Sequence, residues 1–226
     1  MFYKEDEILN FKTDNVVLWS KKCLICFISI VVLGISISFN TMAMLGADPV
    51  SVLFHGASVF TGVDMGLITN AINITLIIIV LFLDRKYINI GTLIYAITLG
   101  ISIEWGIKIY NLMCIPTDFL PRFLISLVGC LLAFSSLGAF IAIDIGVDPW
   151  SAIALIISKK TNKPFKIVRM CFDVICMIIG YALGGTVGII TLISVALGGP
   201  VIQKMSEILD KLFNTMIKSK KTFKKV

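Results

Sequence analysis

Six apolar runs of close to 20 residues each, separated by short polar breaks, leave this chain few environments in which to fold. The runs cover 23–45, 66–83, 88–110, 122–143, 167–183 and 186–202. A bilayer core about 30 Å thick asks for helical stretches of about 20 apolar residues, so each run predicts a crossing. The rest of the composition agrees. Hydrophobic residues make up 58% of the chain and charged residues 15%, with a mean hydropathy of +0.97, which excludes an ordinary water-soluble domain. An outer-membrane barrel would alternate in ~10-residue segments, and this chain does not. Residues 1–22 are polar and include Lys4, Glu5, Asp6, Glu7, Lys12 and Asp14, so the first run reads as a retained span rather than a cleavable signal.

The net charge of +6 points to anionic lipid and not to nucleic acid, because the basic residues sit in loops and tails. With six crossings both termini share a side. If that side is cytoplasmic, 18 of the 20 Lys and Arg lie inside, leaving only Lys108 and Arg122 outside. The positive-inside rule then predicts cytoplasmic termini in a cell membrane. Trp19 and Trp105 fall near opposite ends of their runs, where an aromatic belt would put them.

A block recurs 100 residues apart: Gly46-Ala47-Asp48-Pro49-Val50-Ser51 matches Gly146-Val147-Asp148-Pro149-Trp150-Ser151, and Ser58 and Thr61 match Ser158 and Thr161. The match continues weakly, Asn73 corresponding to Asp173 and the start of the third run resembling that of the sixth. Three crossings per copy is an odd number, so the second copy enters the membrane from the opposite side. The expected fold is therefore an all-α polytopic membrane protein of two inverted three-helix repeats, 23–111 and 112–203, between a cytoplasmic segment, 1–22, and a basic amphipathic tail, 204–226. The duplicated Gly-x-Asp-Pro-[Val/Trp]-Ser, together with Gly91 to Ile94 and Gly198-Gly199-Pro200, resembles the YczE/YyaS/YitT group of bacterial membrane proteins over about residues 25 to 205. The resemblance implies a bacterial multi-pass membrane protein. Some members are grouped with proposed exporters, but most lack an assigned activity. The first copy departs in carrying Val50 where the second has Trp150.

Asp is a preferred N-cap, Pro suits the first helical position, and Ser51 or Ser151 can bond back toward the cap, so a helix should begin at each Asp-Pro. From Val50 to Phe60 that helix is about 17 Å long at ~1.5 Å per residue, too short to cross. The second, from Trp150 to Ile157 and ending at Ser158-Lys159-Lys160, reads as shorter still. Two readings stand: re-entrant half-helices whose N-termini and carboxylates build a site, or capped interfacial helices with satisfied carboxylates. Asp173 either pairs with Arg169 four residues before it or contacts a solute with Asn73. Asn70 and Asn73 share a face suited to interhelical bonds, Glu104 lies beside Trp105 near a membrane edge, and Asp144 lies near the inner end of its span.

The single histidine, His55, has no ligand set around it, and the six cysteines (23, 26, 114, 130, 171 and 176) read as reduced apolar residues. No nucleotide, protease or metal motif occurs, so no catalytic residue, cofactor or metal is expected. In the tail, Val201, Met205, Ile208, Leu209, Leu212, Met216 and Ile217 fall at helical spacing ahead of Lys218, Lys220, Lys221, Lys224 and Lys225, an arrangement suited to the anionic inner leaflet.

The expected function is a small-solute transporter or exporter with substrate-binding candidates Asp48, Ser51, Asp148, Ser151, Asn73 and Asp173. The solute itself is not identified by the sequence. The alternative is a membrane-embedded binding or regulatory subunit acting with a partner protein. Three spans per half is small for a lone transporter, which favours a homodimer or a partner subunit.

Overall fold

The computed structural model describes residues 13–116 and 118–223, and within them the chain is all-helical, with no strand. Eight α-helices follow in order: α1 Thr13–Met42, α2 Pro49–Thr61, α3 Met65–Leu83, α4 Ile90–Leu112, α5 Phe119–Ile143, α6 Pro149–Thr161, α7 Phe165–Ala182 and α8 Ile189–Phe223. Five are long and apolar enough to cross a bilayer: α1 over Trp19–Met42, α3, α4, α5, and α8 over Ile189–Leu209. The fifth expected span, α7, has 18 residues but carries Lys166, Arg169 and Asp173, and is not among these five. The N-terminal segment through residue 12, and the tail side chains from Leu212 onward, lie outside the described residues.

Helix limits follow caps more than hydropathy. Lys21 and Lys22 sit inside α1, which begins at Thr13, because lysine is a good helix former and marks a membrane edge rather than a helix end. Each Asp-Pro does start a helix. Asp48 and Asp148 are extended N-caps that accept the N–H of Ser51 (3.2 Å) and Ser151 (2.9 Å). Contrary to the expectation that the second is shorter, α2 and α6 both have 13 residues. Lys159 and Lys160 form the last turn of α6, and the stop is Asn162 in the left-handed region (φ 55°), the counterpart of Gly62 (φ 70°). The hydroxyls of Ser58 and Ser158 close the two turns alike, donating to the carbonyls of Val63 (2.6 Å) and Lys163 (2.7 Å). Beyond Pro200, α8 continues to Phe223, so the tail helix prolongs the last span.

One layer runs α8–α5–α1–α4–α3 by successive contacts. Small residues bring these helices close: Gly34 and Gly106 at the α1–α4 seam, Gly129 between α5 and α1, and Gly138 between α5 and α8. The hairpins α2–α3 and α6–α7 pack on one another through α2 with α7 and α3 with α6. The start of α4 sits on the Asp148 loop, Gly91 donating its N–H to Ile145 C=O (3.1 Å) and the Thr92 hydroxyl to Val147 C=O (2.8 Å). The start of α8 sits on the Asp48 loop in the same way, with Ile190 donating to Leu45 C=O (3.1 Å).

The halves differ in their closest contacts. Gly56 of α2 lies against Gly180 of α7 so tightly that a methyl group on Gly56 would overlap the Gly180 carbonyl, and one on Gly180 would overlap the backbone of Val52 and Leu53. The equivalent residues, Ile156 and Val80, meet through their side chains in a cluster with Ala152 and Ile153. Likewise Gly66 and Gly100 join α3 to α4, whereas Gly199, at the position of Gly100, faces open space, and no comparable contact joins α7 to α8 among the described residues. Between α3 and α4 a 3-10 turn, Arg85–Tyr87, is capped by Asp84, whose carboxyl is held below its usual range by Lys86 at 2.8 Å. Lys86 and Lys159 both lie over the Tyr87 ring (5.4 and 5.2 Å).

Candidate functional site

The N-terminal half of α2 is enclosed by protein: Ser51, Val52 and Phe54 are fully buried, while Val59 and Phe60 near its other end are exposed. The α6 N-terminus is enclosed too, with Pro149 and Trp150 buried. The two helices approach at their starts, where the Phe54 and Trp150 rings meet edge to face, 6.0 Å between centroids.

Polar chemistry collects there around Arg169. Its Nε lies 3.2 Å from Asp173 Oδ1, its Nη1 lies 3.8 Å from Asp148 Oδ2, and Nη1 donates to Ser151 Oγ (3.1 Å). The expected pairing of Arg169 with Asp173, i to i+4 along α7, is therefore present, and the same guanidinium also crosses to α6. The first copy has Thr69 and Asn73 at the positions of Arg169 and Asp173. Without an arginine to engage, the Ser51 hydroxyl turns back onto Asp48 Oδ1 (2.6 Å). Asp48 and Asp148 both lie close enough to act electrostatically on Arg169, Asp173 and Tyr95, so carboxylates from both copies share one field. Two carboxylates, Asp173 at 3.2 Å and Asp148 at 3.8 Å, share the one guanidinium, and among the described residues no cation forms an ion pair with Asp48.

Of the six expected site residues, Asp148, Ser151 and Asp173 are gathered by Arg169, and Asp48 and Ser51 are bonded to each other beside them. Asn73 is fully buried, and neither its Oδ1 nor its Nδ2 has a partner, so the expected link to Asp173 is not made by a hydrogen bond. Trp150 Nε1 is likewise buried and unpartnered. Asn70 instead makes the interhelical bonds expected of this face, donating to Ile97 C=O (3.3 Å) and accepting the Gly100 N–H (2.9 Å). Glu104 is half-buried and turned inward, accepting the Gly66 N–H at 2.6 Å and so capping α3 from α4. Sequence reasoning missed Arg169 as the hub and Tyr95 as its neighbour. The available signal was a cation inside an apolar run, and counting Arg169 among loop charges concealed it. Among the described residues no set of three His, Cys, Asp or Glu is arranged to hold a metal ion.

A family described as of unknown function, DUF6198, matches residues 20–207. The chain is 24% identical over 198 residues to an uncharacterized protein of Haemophilus influenzae, covering 86% of this chain and 89% of that one. It is 25% identical over 186 residues to the uncharacterized protein YyaS of Bacillus subtilis, covering 82% and 92% respectively, which bears out the resemblance to the YyaS group. No solved structure matches the chain.

Proposed function

We propose that this chain, which belongs to the DUF6198 family, is a small-solute transporter or exporter of the bacterial cytoplasmic membrane. It is built from two inverted three-span repeats, has cytoplasmic termini, and uses the convergent Asp-Pro helices as its solute site. The observation that carries this reading is the Arg169 hub, a charged centre inside an apolar helical body, formed by Arg169, Asp173, Asp148 and Ser151 of the second half where the start of α2 from the first half meets it through Phe54 and Trp150. A charge at the middle of a spanning helix costs about 2.5–3.5 kcal/mol on insertion scales, and such groups in membranes usually line substrate or ion paths. Two enclosed half-helix N-termini at a repeat interface are a recurrent way to build a solute site.

Under this reading α7 also crosses and brings the number of spans to six; it is about 27 Å long at ~1.5 Å per residue, with Arg169 and Asp173 neutralising each other along it. The positive-inside count supports the orientation, and so does the meeting of Lys86 and Lys159 at Tyr87, because both belong to loops assigned to the cytoplasmic side. The enclosed first half of α2 favours re-entry over a helix lying on the surface. Reciprocal seating of each Asp-Pro loop on the last helix of the other half supports a pseudo-two-fold arrangement.

The test screens the detergent-purified protein for thermal stabilisation by amino acids, nucleobases, vitamins and inorganic ions, since a ligand that binds only the folded state raises Tm. Compounds that stabilise it then enter radiolabel uptake into proteoliposomes. Asp48→Asn and Asp148→Asn keep a good cap residue and should leave the fold intact while cutting uptake at least tenfold. Full uptake in both variants refutes the paired half-helix path. Binding without flux, together with a copurifying protein, assigns the chain to a partner-dependent module instead.

A further inference from the structure

Asn73 is fully buried with both ends of its amide unpartnered, an arrangement that needs a reason, because a buried polar group without a partner loses its hydration and gains no hydrogen bond in return. Its position on α3 supplies one. Val80 packs against Ile153 and Ile156 of α6, and the far ends of the two helices meet where Lys159 covers Tyr87. α3 and α6 therefore run in the same direction side by side. Asn73 lies two helical turns before Val80 on the same stripe, which sets it level with the residues seven before Ile156, at Pro149 and Asp148. An unsatisfied amide thus faces the α6 N-terminus, where the unpartnered Trp150 Nε1 also lies. Asp48, at the start of the α2 helix that meets the α6 start through Phe54 and Trp150, has no cation paired to it among the described residues, and the one guanidinium there already serves two carboxylates, Asp148 and Asp173.

We infer that this centre binds a small organic cation, a protonated amine that also carries a hydrogen-bonding group, with the ammonium taken by Asp48 and the polar group by the Asn73 amide. The inference rests on the transporter reading only for the place of the site; binding is required, and flux is not. The excess of carboxylate over guanidinium selects positive charge and disfavours an anion. An inner-sphere metal ion is disfavoured by the absence, among the described residues, of a suitably grouped ligand set. The Asn73 amide, which can both donate and accept, adds discrimination that charge alone does not give.

The experiment measures Tm of the full chain in detergent against methylammonium, ethanolamine, putrescine and agmatine, with ethylene glycol, glycolate, sodium and potassium as comparisons. At least one amine should stabilise the protein saturably, and glycolate and ethylene glycol should not. Asp48→Asn should weaken that amine's affinity at least tenfold. Asn73→Leu should weaken it severalfold while leaving the unliganded protein as stable as the parent or more so, because it removes an unsatisfied amide at similar volume. A purely structural Asn73 would not dissociate the two readouts. Stabilisation by none of the amines, by sodium or potassium alone, or by an amine equally in Asn73→Leu and the parent, overturns the inference. Amine binding without uptake leaves the inference standing and refutes transport, whereas uptake of an anion or neutral solute without amine binding does the reverse.

Discussion

Replacing Arg169 with Met strands two carboxylates whose surroundings differ enough to be told apart. The guanidinium stands 3.2 Å from Asp173 and 3.8 Å from Asp148. At an effective dielectric constant of about 20 each contact carries roughly 4–5 kcal/mol of Coulomb attraction, before the cost of desolvating either group is set against it. The Asp173 side chain is 30% exposed, so water can take over much of what it loses, as in exposed pairs worth about 0–1 kcal/mol. The Asp148 side chain is 8% exposed and has no such recourse; stranding a buried charge costs about 3–5 kcal/mol. Its bond from the Ser151 N–H survives the change, which puts the expected loss near the lower end, about 3 kcal/mol. At about 2–4 °C per kcal/mol for a chain of this length, Tm should fall by roughly 6–12 °C, read by tryptophan fluorescence on detergent-purified protein. Adding Asp148→Asn to Arg169→Met removes the stranded charge and keeps the cap, so it should restore most of the loss, whereas adding Asp173→Asn should restore little. A single variant within about 2 °C of the parent, or equal rescue by the two asparagines, would refute the burial and pairing argued here.

Other consequences are open to the same assay. Gly56→Leu drives a side chain into the Gly180 carbonyl and should destabilise by about 1–3 kcal/mol, with the reciprocal Ile156→Ala costing about 2–5 kcal/mol through the cavity it leaves. Asn70→Leu removes both side-chain bonds to α4, whose Ile97 carbonyl and Gly100 N–H keep their places in the helix ladder, a loss of about 1–3 kcal/mol at roughly 0.5–1.5 kcal/mol per bond; unchanged Tm would mean that α3 and α4 are held by packing alone.

Much of the architecture was legible because it is written locally. Asp48-Pro49 and Asp148-Pro149 specify helix starts whatever surrounds them, and hydropathy located the long helices to within a few residues except at α1 and α8. The errors have a common cause. The charge of Lys159 and Lys160 suggests a helix end, but charge reports the water boundary, and α6 runs through both lysines until Asn162 in the left-handed region stops it. The bonds from Arg169 to Asp148 and Ser151 and from Glu104 to Gly66 join different helices, and no periodicity along one element could disclose them. For the same reason Asn73 could be chosen as a polar residue in a span, but its lack of any partner appears only once the helices are packed.

The two matching sequence blocks are not interchangeable. A recombination event that copied the second block over the first would put isoleucine at position 56 against the Gly180 carbonyl, and the reverse event would put glycine at position 156 and leave Val80 without its facing side chain. Either exchange preserves every Asp-Pro cap and every turn, yet spoils one of the two seams between the hairpins. Making the two segments identical would therefore cost packing at one seam or the other, the glycine contact on one side and the Ile156–Val80 contact on the other.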